Sequence, residues 1–273
     1  MTAAPAPPFT APAGLDVRLD GVAVQFGSLA ALDGLGLEIR AGSFMAIIGP
    51  NGCGKSTLLR LIAGLLAPSS GRVVIGGTPP RAGDGRVGLA FQQPRLIPWR
   101  STLDNVTLPL ELDGTLPAER RDRGFEALER VGLDGAAHFR PAALSGGMQQ
   151  RAALARALIT DPPVLLLDEP FSALDALTRE AFNAELQRLW LERPRTLVTV
   201  THSVSEAIQL ADRVAVMTAR PGRIAELVEV PLPRPRPADL VGQPDAGEID
   251  RRIRAALAPG QPAGLQSWAG GGG

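Results

Sequence analysis

One nine-residue segment, Gly49-Pro50-Asn51-Gly52-Cys53-Gly54-Lys55-Ser56-Thr57, constrains the fold of this chain more than any other. The apolar run Phe44-Met45-Ala46-Ile47-Ile48 precedes it and Leu58-Leu59-Arg60-Leu61-Ile62-Ala63 follows, so it reads as a glycine-rich loop joining a buried strand to a helix. Gly-x-x-x-x-Gly-Lys-Ser in that context is a phosphate-binding loop. Backbone N–H groups cradle the α- and β-phosphates of a nucleotide, the lysine reaches the β/γ oxygens, and the serine hydroxyl ligates Mg²⁺. Lys55 is the single lysine among 28 lysine and arginine side chains. A composition so biased would supply arginine wherever any cation sufficed, so the compact ammonium at this position answers a chemical requirement.

The rest of the 273-residue chain accommodates one large α/β domain with an insertion, or two small domains. From Leu15 to Ile39 short alternating apolar segments predict antiparallel strands, and Arg72–Ile75 and Val87–Phe91 predict two more. Between Gln92 and Pro162 the periodicity turns helical. Pro117 opens a helix whose Phe125, Leu128 and Val131 share one face. Strands then alternate with helices: Val164–Leu167, Leu177–Leu191, Thr196–Thr201, Ser203–Ala211, Arg213–Met217 and Ile224–Val230. Short buried strands alternating with helices indicate a parallel sheet covered on both faces. Residues 1–15 read as a flexible tail. The Pro231–Pro237 stretch reads as a stiff linker, Ile249–Leu257 as a short helix, and Ala269–Gly273 as disordered.

Several function classes are disfavoured at this level. The formal net charge is +0, which leaves no global electrostatic footprint for nucleic acid. One cysteine permits no internal disulfide. Met1–Pro12 lacks the basic residues of a secretion signal. No stretch approaches the ~18 consecutive apolar residues of a membrane span, so membrane association is expected through a partner.

Two further segments carry chemistry. Val164-Leu165-Leu166-Leu167-Asp168-Glu169 is an apolar strand ending in two carboxylates, at the end of the sheet where ligands bind. Asp168 is placed to hold Mg²⁺, and Glu169 to orient and deprotonate an attacking water. Leu144-Ser145-Gly146-Gly147-Met148-Gln149-Gln150-Arg151 opens a helix, with Ser145 as cap and exposed backbone N–H groups suited to an anion.

Taken together, these segments resemble the ATP-binding-cassette ATPases across roughly residues 16–230, with Gly49–Thr57 and Val164–Glu169 similar to the Walker A and B elements and Leu144–Arg151 to the signature motif. The resemblance implies an α/β P-loop NTPase (RecA-like) core with a mostly parallel sheet, an N-terminal antiparallel β subdomain and an inserted α-helical subdomain at about 92–162. The domain would run from 16 to 232, with 233–273 as linker, short helix and tail. It further implies that Phe26 stacks on adenine, unless it is a core phenylalanine. Gln92 would touch Mg²⁺ and link the subdomains, Asp175 of Ser172-Ala173-Leu174-Asp175 would belong to the D-loop, and His202 would contact the γ-phosphate. His138 matches nothing in the family and reads as structural or solvated. ATP would lie in a head-to-tail homodimer, between Lys55 of one subunit and Ser145, Gly146 and Gly147 of the other.

Finer marks resemble the nitrate/sulfonate/taurine branch of bacterial importers: Phe91–Trp99, Leu103–Val106 and Ala219–Ile224. The implied partners are separate integral-membrane permease subunits and, indirectly, a solute-binding protein, with the chain peripheral on the cytoplasmic face of the inner membrane. Trp99 would lie at the permease-receiving groove or, alternatively, in the core. The stretch after Val230 is too short for the regulatory barrel of sugar-type importers. An exporter-type or lipid-handling cassette and a non-transport ATPase remain as alternatives. A thiol beside Lys55 near a helix N-terminus is expected to have a depressed pKa, making Cys53 reactive.

Overall fold

The computed structural model describes residues 14–170 and 174–258. The chain forms β1 (Val17–Phe26), β2 (Leu29–Ile39) and β3 (Phe44–Ile48), then helix α1 (Lys55–Ile62), β4 (Ser70–Ile75) and β5 (Val87–Ala90). Helices α2 (Thr102–Val106), α3 (Leu108–Leu112), α4 (Pro117–Arg130) and α5 (Gly146–Leu158) follow in succession. Then come β6 (Val164–Asp168), α6 (Ala176–Glu192), β7 (Thr196–Val200), α7 (Val204–Leu210), β8 (Arg213–Met217), β9 (Ile224–Glu229) and α8 (Pro244–Leu257).

Two sheets result. The smaller has the order β2-β1-β4, with both pairings antiparallel. The larger has the order β5-β6-β7-β3-β8-β9, parallel throughout except for β9, which pairs antiparallel to β8. The parallel strands are buried on both faces, as the unbroken apolar runs imply. Alternate residues serve different cores. Met45 and Ile47 of β3 join Val164, Leu166, Val198, Val200 and Ala215 in a core shared with α1 and the antiparallel sheet. Phe44, Ala46 and Ile48 face the other way, with Leu165, Leu167, Phe182, Leu186 and Ile208 under α6 and α7.

The region from Gln92 to Pro162 builds its own core from Val106, Leu110, Leu128, Val131, Ala152 and Ile159. Pro117 stands in the first turn of α4 with Glu119, where a missing N–H costs nothing and an acid complements the helix dipole. The expected one-sided face holds: Leu128 and Val131 are buried and Phe125 packs against them. Trp99 is 73% exposed, which removes the alternative of a core tryptophan.

The Pro231–Pro237 stretch, expected as a stiff linker, is anchored to the domain instead. Arg236 is buried, and its guanidinium donates to the carbonyls of Ile208 (2.7 Å), Ala211 (2.6 Å), Val230 (2.9 Å) and Leu232 (2.8 Å). The first two are carbonyls at the end of α7, which no longer have helical partners, so Arg236 caps that helix. Gln187 of α6 exchanges two hydrogen bonds of 2.9 Å with the Arg236 backbone. Arg234 pairs with Asp212 and lies over the Trp190 ring at 4.6 Å. Burial pushes the Arg236 guanidinium down to about 10.

Arg236→Ala is therefore expected to lower unfolding stability by about 3 kcal/mol, since it strips charge-assisted donors from several buried carbonyls. Urea denaturation checks this; a change within about 0.5 kcal/mol, the range of ordinary surface substitutions, would show that the stretch merely lies on the surface.

Candidate functional site

The parallel sheet brings its chemistry to one edge. β3 runs into Gly49–Gly54, β6 ends at Asp168, and β7 leads to Thr201 and His202. Register fixes their relative positions: Asp168 stands opposite Val200, and Thr201 N–H donates to the Ile47 carbonyl at 3.2 Å. The loop wraps the Lys55 ammonium, which donates to the carbonyls of Gly49 (2.9 Å) and Pro50 (3.1 Å) and is nearly buried. Gly54 sits at φ +103° just before α1, a backbone conformation open to glycine at little cost.

Ser56 Oγ donates to Asp168 Oδ1 at 3.1 Å, which joins the first turn of α1 to the end of β6. Burial pushes the Asp168 carboxyl up, against the opposing pull of the Ser56 hydroxyl. These two oxygens, one neutral and one acidic, suit a hard divalent cation such as Mg²⁺. That ion takes one or two protein oxygens and fills its shell with water and phosphate. Among the described residues no group of three or more His, Cys, Asp or Glu side chains forms a closed metal cage.

Glu169 comes next, in the left-handed region at φ +46°. That conformation costs a non-glycine residue about 1–2 kcal/mol and is held here by Glu169 N–H donating to the Val200 carbonyl at 3.0 Å. The resulting geometry brings three candidate residues together. Gln92 Nε2 donates to Glu169 Oε2 at 3.0 Å, and His202 Nδ1 lies 3.9 Å from the same oxygen.

Other candidates stand apart. Ser145, Gly146 and Gly147 open α5 on the helical subdomain, where the Ser145 hydroxyl accepts from Met148 N–H at 3.3 Å. The first turn of α5 carries no acidic residue, so its dipole faces solvent uncompensated. Asp175 caps α6, accepting from Thr178 N–H at 3.0 Å and Thr178 Oγ1 at 2.6 Å. Its neighbours Ser172 and Ala173 lie outside the described residues. Phe26 ends β1 at 48% exposure, which removes the reading as a core phenylalanine. His138 is exposed and meets Phe125 edge-on.

Two supporting groups escaped the sequence. Gln150, buried in α5, donates to the Gln92 carbonyl at 2.8 Å and ties the Ser145 helix to the glutamine that reaches Glu169. Behind His202, Thr201 Oγ1 donates to Glu206 at 2.5 Å and accepts from Ser203 N–H at 3.0 Å. Burial pushes the Glu206 carboxyl up, and Arg179, which also donates to the Leu174 carbonyl at 2.8 Å, pairs with it at 3.5 Å. Ser203-x-x-Glu206 has the spacing of a capping box, the signal from which this cluster could have been found.

One expectation is overturned. Cys53 is buried, and desolvation pushes its thiol up despite Lys55 Nζ at 3.9 Å. A Cβ built on Gly49 would fall 2.9 Å from the Cys53 sulfur and 3.0 Å from Met217 Cβ, so the thiol is packed against the sheet. Burial wins over the neighbouring charge, and the expected reactive thiolate is replaced by a small apolar filler.

Comparison with known proteins agrees with this geometry. The family model described as "ABC transporter" matches residues 32–172. An aliphatic sulfonates import ATP-binding protein of Pectobacterium atrosepticum is 44% identical over 247 residues, covering 90% of this chain and 89% of its own length. A second, from Mesorhizobium japonicum, is 49% identical over 216 residues, covering 79% of this chain and 80% of its own. Among solved structures, a dimeric ATP-binding cassette in a post-hydrolysis state with ADP and Pi superposes with a TM-score of 0.70. It is 35% identical and covers 78% of this chain and 98% of its own. The chain belongs to the ATP-binding-cassette family and is one of its ATPases.

Proposed function

We propose that the chain is the ATP-hydrolysing subunit of a bacterial importer for a small anionic or zwitterionic solute, with aliphatic sulfonates as the leading class and nitrate or taurine as neighbours. The observation that carries the catalytic part is the meeting of Gln92 and His202 on one Glu169 oxygen, beside the Ser56–Asp168 pair. The solute class is supported by the names of the sulfonate-importing relatives.

In this reading Lys55 exchanges the carbonyls of Gly49 and Pro50 for the β- and γ-phosphate oxygens of ATP, while the backbone N–H groups of residues 51–57 cradle the phosphates. Ser56, Asp168 and Gln92 would hold Mg²⁺, which withdraws charge from the phosphates. Glu169 orients a water and takes its proton as the water oxygen bonds to the γ-phosphorus and the bond to the β-bridging oxygen breaks. His202 donates to the γ-phosphate, and Phe26 stacks on the adenine. Ser145, Gly146 and Gly147 of a second copy close over the nucleotide in a head-to-tail homodimer, with Asp175 at the junction. ATP binding closes the pair and hydrolysis reopens it.

No helix among the described residues is long and apolar enough to cross a membrane. In this reading, supported by the names of the importing relatives, coupling to transport runs through permease subunits at the cytoplasmic face of the inner membrane, which receive solute from a binding protein. Trp99, Leu112 and Leu116 are exposed at 73%, 79% and 71% on the helical subdomain, and they form the proposed docking surface. The ion pair between Arg100 and Glu111 (2.8 Å) holds the Trp99 segment against α3.

Two outcomes test this. Glu169→Gln should bind ATP and accumulate as a dimer by size-exclusion chromatography, with turnover reduced about a hundredfold or more; wild-type turnover would remove Glu169 as the base. Tagged protein should recover a multi-span permease from detergent-solubilised native membranes, and Trp99→Ala should recover less while still binding nucleotide. Recovery of soluble partners alone would move the assignment to a non-transport ATPase.

A further inference from the structure

The turn between β8 and β9 reaches across to the phosphate loop and grips it. Arg220 Nε and Nη2 both donate to the Gly52 carbonyl, at 3.1 and 2.9 Å. Two residues on, Gly222 presses directly on the loop: a Cβ there would fall 2.0 Å from the Cys53 carbonyl oxygen and 3.1 Å from Leu32 Cδ2. The same turn is stitched to β2, because Gly222 N–H donates to the Ala31 carbonyl (2.9 Å) and Asp33 N–H donates to the Gly222 carbonyl (3.2 Å). An Arg223–Asp33 ion pair closes that side. The turn is itself closed, with Thr218 N–H donating to the Arg223 carbonyl at 2.9 Å and Arg223 N–H to Thr218 Oγ1 at 3.0 Å.

We infer that Arg220 is a positioning residue for the phosphate loop, and that the Thr218–Arg223 turn locks the loop to the β1–β2 hairpin bearing Phe26. The peptide plane supplies the mechanism. A trans peptide points its C=O and N–H in opposite directions, so a guanidinium that holds the Gly52 carbonyl outward turns the Cys53 N–H inward. That N–H does point into the loop, where it donates to the Pro50 carbonyl at 3.3 Å, the same acceptor that takes Lys55. An inward row of N–H groups is what a phosphate needs, and fixing it before binding removes an ordering cost from the binding step. Arginine suits the task because its planar fork places two donors on one oxygen, which an ammonium on a flexible stem does not do. Leu32 completes the lock: it is fully buried, and its Cδ2 lies 2.6 Å from where a Cβ on Gly54 would stand. Residues on both sides of the nucleotide are thus held in one rigid unit by a turn that contributes no proposed phosphate ligand.

This inference rests on the nucleotide reading above. Its test is ADP binding by equilibrium titration, together with steady-state ATPase kinetics and melting temperature, for the wild type, Arg220→Ala, Arg220→Lys and Gly222→Ala. Arg220→Ala should weaken ADP roughly fivefold, raise KM more than it lowers kcat, and melt within about 2 °C of the wild type. Arg220→Lys should recover part of the affinity, and Gly222→Ala should weaken ADP more than Arg220→Ala. Wild-type ADP affinity in Arg220→Ala overturns the inference. So does an affinity loss that tracks melting temperature equally in the Ala and Lys variants. If the wild type itself fails to bind ADP, the nucleotide reading falls first and this inference with it.

Discussion

Strand β3 is the constraint on which the rest depends. Its five residues are buried on both faces, paired to β7 on one side and β8 on the other. A strand so enclosed cannot slide, because a shift of one residue would send Phe44, Ala46 and Ile48 into the space that Met45 and Ile47 fill. The point at which the chain leaves the sheet is therefore fixed, and the wrapped Lys55, the Ser56–Asp168 bond and the grip of Arg220 on Gly52 are all measured from that point. The neighbouring parallel strands inherit the same register, so acids and histidine from distant parts of the sequence meet without a local motif joining them.

Glu169 shows how the helical subdomain is wired to that edge. Its carboxylate takes the Gln92 amide, the Gln92 carbonyl takes the Gln150 amide, and Gln150 belongs to the helix that Ser145 opens. Two hydrogen-bond links, continued by helix α5 itself, connect the proposed catalytic base to a helix start that serves the partner's nucleotide in the proposed dimer. Each link is a neutral or singly charged hydrogen bond of the kind worth about 1 kcal/mol net, strong enough to set an orientation and weak enough to exchange. A wholly apolar contact between the subdomains would position α5 without reporting on the Glu169 carboxylate.

Much of this was legible in the sequence, for a physical reason: signals that are local and periodic survive in one dimension. The parallel strands appear as unbroken apolar runs, α4 as a proline-led pattern with Leu128 and Val131 on one face, and the phosphate loop as glycines at fixed spacing. What failed depended on partners far away in the chain. The Cys53 thiol reads as reactive beside Lys55, two residues off, but its side chain joins a core that includes Val200 and Met217 from far along the chain. Arg236 lies in a proline run that resembles a solvated spacer, and its acceptors on α7 belong to a turn some two dozen residues upstream. The Gln150–Gln92 bond spans 58 residues and has no spacing rule to announce it.

The chain's preference for arginine has a chemical corollary. Structural tasks that need a cation, such as capping α7 or gripping Gly52, are given to guanidinium groups, which neither acylate nor form Schiff bases under mild conditions. That leaves one ε-amine in the whole molecule, and it is folded inside the phosphate loop with 6% of its surface exposed. Side-chain amine chemistry on this protein thus addresses a single functional atom. The cell's acylating metabolites meet a surface with no lysine to modify, and any acylation of a lysine side chain would fall on the loop itself.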